Sequence, residues 1–116
     1  MTTSNNQKVY RILIVDDEED LRDLLTDEIE YNGHQAVSAS CGSEAMSIFD
    51  AETPDAIISD VRMPNGDGIE LLEHVRSKNP NVPFILVTGF ADISKNDAIA
   101  KGATELVPKP YRVKAS

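Results

Sequence analysis

Two adjacent acids, Asp16 and Asp17, a third at Asp60, a hydroxyl at Thr88 and an amine at Lys109 are the residues here whose types could do chemistry together. Carboxylates brought close repel one another, so such a group stays ionised only with a cation among them. Oxygen ligands without cysteine or a nearby histidine select a hard ion, Mg²⁺ or Mn²⁺, over Zn²⁺. Mg²⁺ takes a few carboxylates and fills its remaining positions with water and phosphate oxygens, which suits phosphoryl transfer. One carboxylate can then act as nucleophile and form an aspartyl phosphate. Thr88 and Lys109 are left to bind the phosphoryl oxygens and offset their charge. Taken singly, each residue has a plainer use. Asp16-Asp17 could cap a helix and favour the positive end of its dipole. Asp60 could sit in a turn, and Lys109 could be an exposed charge. The chemistry depends on all of them meeting.

The hydrophobic pattern supplies the elements that would make them meet. Val9 to Val15 is a short, mostly apolar, β-branched run, the mark of a strand buried on both faces and central in a parallel sheet. Leu21, Leu24, Leu25 and Ile29 recur at helical spacing, and Gly33 stops that helix. Residues Gln35–Ser40 read as a weaker second strand, and Ser43 as the N-cap of a helix carrying Ala45, Met46 and Phe49 and closed by Thr53-Pro54. Ala56–Ser59 is a third strand ending in Asp60. Ile69, Leu72 and Val75 mark a third helix that stops near Asn79-Pro80, and Phe84–Val87 is a fourth strand. A poorly amphipathic helix over Asp92–Lys101 and a fifth strand at Glu105–Val107 complete the series.

Strands alternate with helices throughout, which argues for an α/β fold with a parallel sheet. Pro108 cannot donate to a ladder, so the fifth strand belongs at an edge. Right-handed crossovers leave few topologies, and the doubly wound, five-stranded, flavodoxin-like order 2-1-3-4-5 satisfies every constraint. Open sheets of this kind bind ligands beyond the carboxyl ends of their strands. Strand one ends in Asp16-Asp17, strand three in Asp60, strand four in Thr88, and strand five runs into Lys109. All the candidate residues therefore map to one sheet edge.

Composition narrows the class. The 116 residues suit one domain, with residues 1–8 a disordered or flexible leader that lacks the apolar core of a secretory signal. No apolar run is long enough to span a membrane, so the expectation is a cytoplasmic protein. A net charge of −9 repels phosphate backbones and anionic lipid, so neither nucleic acid nor a membrane surface is the expected partner. Cys41 is the only cysteine, which excludes an internal disulfide and a cysteine metal site, and it reads as a small buried or half-buried side chain. His34 and His74 read as surface residues beside helix ends, and Glu18-Glu19-Asp20 as a solvated helix start.

Four segments carry a resemblance: Ile12 to Glu18, the run Asp60-Val61-Arg62-Met63-Pro64-Asn65-Gly66-Asp67-Gly68, Val87-Thr88-Gly89, and Lys109-Pro110. In this order and spacing they resemble the signature blocks of response-regulator receivers, over roughly Val9 to Tyr111, with a receiver domain expected over 9–116. The resemblance implies that Asp60 accepts a phosphoryl group from a phosphohistidine on a sensor histidine kinase or phosphotransfer protein. It implies that Asp17, Asp60 and the backbone carbonyl of Arg62 bind Mg²⁺, with Asp16 acting largely through water. Lys109 would contact Asp60 at rest and the phosphoryl oxygens after transfer, while Thr88 swings toward them. The Lys109-Pro110 peptide would be cis, Gly89 would leave the site open to a partner, and Gly68 would permit a close approach or special backbone conformation.

The chain departs from the family in two places. Leu106 stands where Tyr or Phe is usual, so the coupling of threonine to a rotating aromatic ring does not carry over. Only six residues follow Pro110, so the fifth helix reads as missing or truncated. One sheet face is then expected to be partly bare, calling for self-association or a following effector domain. Arg62 and Phe90, two residues beyond Asp60 and Thr88, flank the path of attacking water and suggest a long-lived phosphorylated state, with Tyr111 at the rim or in packing. Two other functions compete. A haloacid-dehalogenase-type phosphatase wants an acid where Arg62 stands. A pseudo-receiver, a binding module without phosphorylation, usually lacks one of the acids, the threonine or the lysine, all of which are present.

Overall fold

A computed structural model of the protein describes residues 8–63, 65, 67–89 and 93–109. Five strands are present: β1 (Arg11–Val15), β2 (Gln35–Ala39), β3 (Ala56–Asp60), β4 (Phe84–Thr88) and β5 (Glu105–Pro108). Four helices occur among the described residues: α1 (Glu19–Tyr31), α2 (Gly42–Glu52), α3 (Gly68–Lys78) and α4 (Lys95–Ala100). The strands form one parallel sheet in the order β2-β1-β3-β4-β5, as the pattern predicts, with Pro108 on the edge strand. Phe90, Asp92, Pro110, the Lys109-Pro110 peptide, Tyr111 and any fifth helix lie outside the described residues, as does the leader apart from Lys8.

Helix ends follow local chemistry. After α1, Gly33 takes a left-handed φ of 91°, the conformation that favours glycine. The expected N-cap at Ser43 is corrected to Cys41. Glu44 reaches back instead, accepting from the backbone N–H and the hydroxyl of Ser40 at 2.9 and 3.1 Å, which secures an earlier start at Gly42. Helix α3 opens with a capping box in which Asp67 and Glu70 satisfy each other's backbone N–H groups. Helix α4 starts at Lys95, because the Ser94 hydroxyl accepts from the Asp97 N–H at 3.0 Å. Its far end is tied to α3: Arg76 Nε donates to the Gly102 carbonyl at 2.8 Å and Nη1 to the Asn79 carbonyl at 3.1 Å.

The two faces of the sheet are covered unequally. Leu13, Val15, Ile57, Phe84 and Leu86 form one core with Ala45, Phe49, Leu71, Leu72, Val75 and Ala98 from α2, α3 and α4. Leu106, at the family's aromatic position, packs half-buried against it. Strand residues alternate between faces, and on the opposite face Ile14 and Val87 are sealed while Ile12, Ile58, Ile85 and Val107 are only half-buried. Helix α1 has no fully buried residue, and Leu24 is 38% exposed.

Candidate functional site

Each candidate side chain stands where a strand stops. Asp16 and Asp17 follow β1, Asp60 ends β3, Thr88 ends β4, and Lys109 follows β5. The ladder fixes their relative heights: Val15 is level with Ser59, Asp60 with Val87, and Thr88 with Pro108. The Lys109 N–H donates to the Thr88 carbonyl at 2.7 Å, locking the last two strand ends together. Carboxylate oxygens of Asp16, Asp17 and Asp60 lie within 4.8 Å of one another, the one such acidic group found among the described residues.

Lys109 joins them. Its Nζ donates to Asp60 Oδ2 at 3.0 Å and Glu18 Oε1 at 3.3 Å, and stands 3.2 Å from Asp16 Oδ2. Asp16 is nearly sealed at 2% exposure. Its Oδ1 accepts the Glu18 N–H at 2.8 Å, and Arg22 Nη1 donates to its backbone carbonyl at 2.7 Å. Its Oδ2 is paired in charge with Lys109 but receives no well-directed hydrogen bond. A buried carboxylate oxygen without a donor calls for a further positive partner or a water. With Asp17 exposed beside it, the trio is the kind of oxygen donor set that fits a hard divalent cation.

One cation shared among several anions explains the titration of both partners. Burial pushes the Asp60 carboxyl above its usual range; Lys109 opposes this, and the neighbouring Asp16 and Asp17 add to the rise. For Lys109 burial alone would lower the value, but the contacts with Asp60 and then Asp16 outweigh it and hold the ammonium well above its usual range. The lysine has anions to spare, and each anion has less than a full cation.

Asp17, Glu18, Asp60, Arg62, Thr88, Gly89 and Lys109 line a cleft of about 340 Å³. A larger depression of about 460 Å³, lined in part by Asp50, Asp55 and Lys78, lies by the amino ends of the strands. Those three residues are exposed there and bring no buried polar group, so the chemistry sits in the smaller cleft. At Gly89 an added methyl would only touch the Lys109 stem, at 3.7 Å.

Gly68 has a stricter role. A Cβ there would run into the backbone carbonyl oxygen of Asp60 and meet Ser59 Oγ at 3.0 Å. The Gly68 N–H donates to the Val61 carbonyl at 2.9 Å, so α3 begins pressed against the end of β3. Gly68→Ala is expected to destabilise the fold by about 1–3 kcal/mol, because backbone rather than a flexible side chain must yield. Urea unfolding with an unchanged slope would measure it, and wild-type stability would show that the helix start can slide away freely.

The remaining sequence candidates fall elsewhere. His34 Nδ1 accepts the Tyr10 N–H at 3.1 Å, and His74 Nε2 pairs with Asp50 Oδ1 at 2.8 Å. Both histidines are half-buried rather than on the surface, and neither joins the acidic group. Cys41 is half-buried, as expected, with its thiol pulled below the usual range by the Ser43 hydroxyl 3.4 Å away. Sequence reasoning missed Glu18, whose side chain turns into the cleft instead of serving only as a solvated helix start.

Comparison with known proteins agrees with this layout. The family model for the response regulator receiver domain matches residues 12–115. Response regulator MprA of Mycolicibacterium vanbaalenii is 34% identical over 102 residues, covering 87% of this chain and 44% of that protein. A receiver domain protein from Clostridium thermocellum superposes with a TM-score of 0.83 at 28% identity, covering 89% of this chain and 84% of the other. TrrA of Thermotoga maritima, solved in complex with Mg²⁺-BeF, gives 0.80 at 33% identity, covering 89% of each chain. The chain spans less than half the length of the curated relatives it matches. A five-stranded sheet in the order 2-1-3-4-5, acids at two of its strand ends and a family match over nearly the whole length lead to one conclusion: the chain belongs to the response-regulator receiver domains of two-component signalling.

Proposed function

We propose that this receiver takes a phosphoryl group on Asp60 from a phosphohistidine of a sensor histidine kinase or phosphotransfer protein. The observation that carries the reading is the bridge from Lys109 Nζ to Asp60 Oδ2, 3.0 Å long, beside an acidic trio within 4.8 Å. A carboxylate oxygen of Asp60 forms the new bond to phosphorus as the phosphorus–nitrogen bond breaks, and the leaving electron pair returns to the donor imidazole. Lys109 then moves its hydrogen bonds to the phosphoryl oxygens, and the Thr88 hydroxyl turns to do the same. Asp17, Asp60 and the Arg62 carbonyl would hold Mg²⁺ or Mn²⁺, with Asp16 supporting through water. The ion would neutralise the charge gathering on the phosphoryl oxygens. The site residues 16, 17, 60, 62, 88 and 109 thus form one domain-level unit within 9–116, serving an effector domain or separate partner.

Acetyl phosphate with Mg²⁺, read by intact-mass spectrometry, tests the proposal. One phosphoryl group per chain is expected, and none when the metal is chelated before the phosphodonor is added. No labelling would favour the pseudo-receiver, a folded module that works by binding alone.

The metal assignment makes its own prediction. Asp17→Asn is expected to weaken Mg²⁺ binding by about tenfold or more, and Asp16→Asn by less. Either change removes repulsion, so the metal-free variants are expected to melt at or above the parent. Calorimetric titration with Mg²⁺ checks the order, and undiminished affinity in Asp17→Asn would count against the geometry.

A further inference from the structure

Lys109 has three ammonium hydrogens, and its three carboxylate neighbours are not alike. Asp60 and Asp16 are buried at strand ends, with side chains 9% and 2% exposed. The Glu18 side chain is 61% exposed. Glu18 occupies the N-cap of α1, yet its carboxylate bonds none of the free N–H groups of that helix. It reaches instead to a lysine 91 positions away. A pair this exposed is weak and exchanges freely.

We propose that Glu18 is a positioning residue of the phosphoryl site, a removable third anion on Lys109. It draws the ammonium to the open side of the cleft before transfer and yields it to the phosphoryl oxygens afterwards. The proposal rests on the phosphoacceptor reading of Asp60. Glu18 lines the cleft with Asp60, Arg62, Thr88 and Gly89, so its charge acts on whatever enters. It favours a cation and disfavours an anion, two effects of opposite sign from one carboxylate.

Glu18→Gln is therefore expected to bind Mg²⁺ more weakly and, at saturating Mg²⁺, to bind beryllofluoride more tightly. Each change should be about two- to fivefold at low salt and vanish near 1 M salt, where charges are screened within about 3 Å. Glu18→Asp keeps the charge but shortens the reach. It should retain the parent's Mg²⁺ affinity while the Lys109 ammonium hydrogens, followed by NMR in metal-free protein, exchange faster, as in Glu18→Gln. Purely structural damage would move both affinities the same way and ignore salt, which would overturn the proposal. So would parental beryllofluoride affinity in Glu18→Gln, or ammonium exchange unchanged in both variants. Failure of the parent protein itself to bind beryllofluoride with Mg²⁺ would overturn the phosphoacceptor reading, and the role of Glu18 with it.

Discussion

Asp60→Asn is expected to abolish Mg²⁺-dependent phosphorylation while leaving the fold intact. The two side chains are nearly equal in size, but the amide lacks the charge and the nucleophilic oxygen that attack on phosphorus requires. The loss should be complete within detection, against one phosphoryl group per parent chain. Stability is expected to move the other way. Burial raises the Asp60 carboxyl in the folded protein. Its contribution to stability is therefore present in full below the unfolded carboxylate range, where it is protonated in both states, and is lost as pH rises through the raised folded value. At neutral pH the parent bears that loss and the Asn variant does not. The variant should melt higher at pH 7, with the gap closing on acidification. Lys109 tempers the gain by losing one of its three anions, though Asp16 and Glu18 remain. Its own raised value keeps the ammonium stabilising through neutral pH, lost only as pH climbs past the ordinary lysine range. Labelling of the Asn variant at the parental level would remove Asp60 from the acceptor role.

The second large effect concerns the less covered sheet face. Ile12, Ile58, Ile85 and Val107 are half-buried, and α1 alone supplies an apolar stripe over that face among the described residues. Full burial of such a side chain is worth about 1.5–3 kcal/mol, and each still exposes at most about a third of its surface, so completing all four yields at most roughly 2–4 kcal/mol. Appending an amphipathic helix that lies beside α1 is expected to raise the melting temperature of the 116-residue chain by about 10–20 °C. It should also reduce any self-association, since a second copy can cover the same face. Thermal melts and sedimentation of both forms would decide. A monomeric 116-residue chain that melts as high as the extended one would show the face already adequately covered.

The sequence revealed the fold through signals that are strong in any buried parallel sheet. Runs such as Ile12 to Val15 and Phe84 to Val87 have no polar face, so only a central position satisfies them. The site was legible because that topology sends every strand's carboxyl end to one edge, and the acids, Thr88 and Lys109 fall there. Helix starts were harder. Ser43 looks like a cap, yet Glu44 bonding back to Ser40 decides the matter, a long side chain's choice that residue type does not announce. The caps at Ser94-x-x-Asp97 and Asp67-x-x-Glu70 were not read from the sequence, though residue type and spacing fit both. Glu18 stayed hidden for another reason. In sequence it is one acid in the unbroken run Asp16 to Asp20, and only its distance to Lys109 in space separates it from Glu19 and Asp20.

The tie between Arg76 and Gly102 decides which end of α4 is a fulcrum. Arg76 holds the backbone just beyond the helix, and Gly102, at a φ of 112°, leaves no room for a side chain without pressing on the arginine stem. The opposite end, at Ser94 and Lys95, connects through the chain to Thr88 and Gly89 in the cleft. Helix α4 is thus anchored by Arg76 at its distal end, while its near end is held more loosely, by the exposed Lys95–Glu105 ion pair at 3.1 Å and the packing of Ile93. At about 1.5 Å per residue its six residues span roughly 9 Å, so a tilt of about 15° about the distal anchor would carry the near end roughly 2 Å. A movement at Thr88 would therefore be taken up at the loosely held near end of α4 more readily than at the Arg76 anchor.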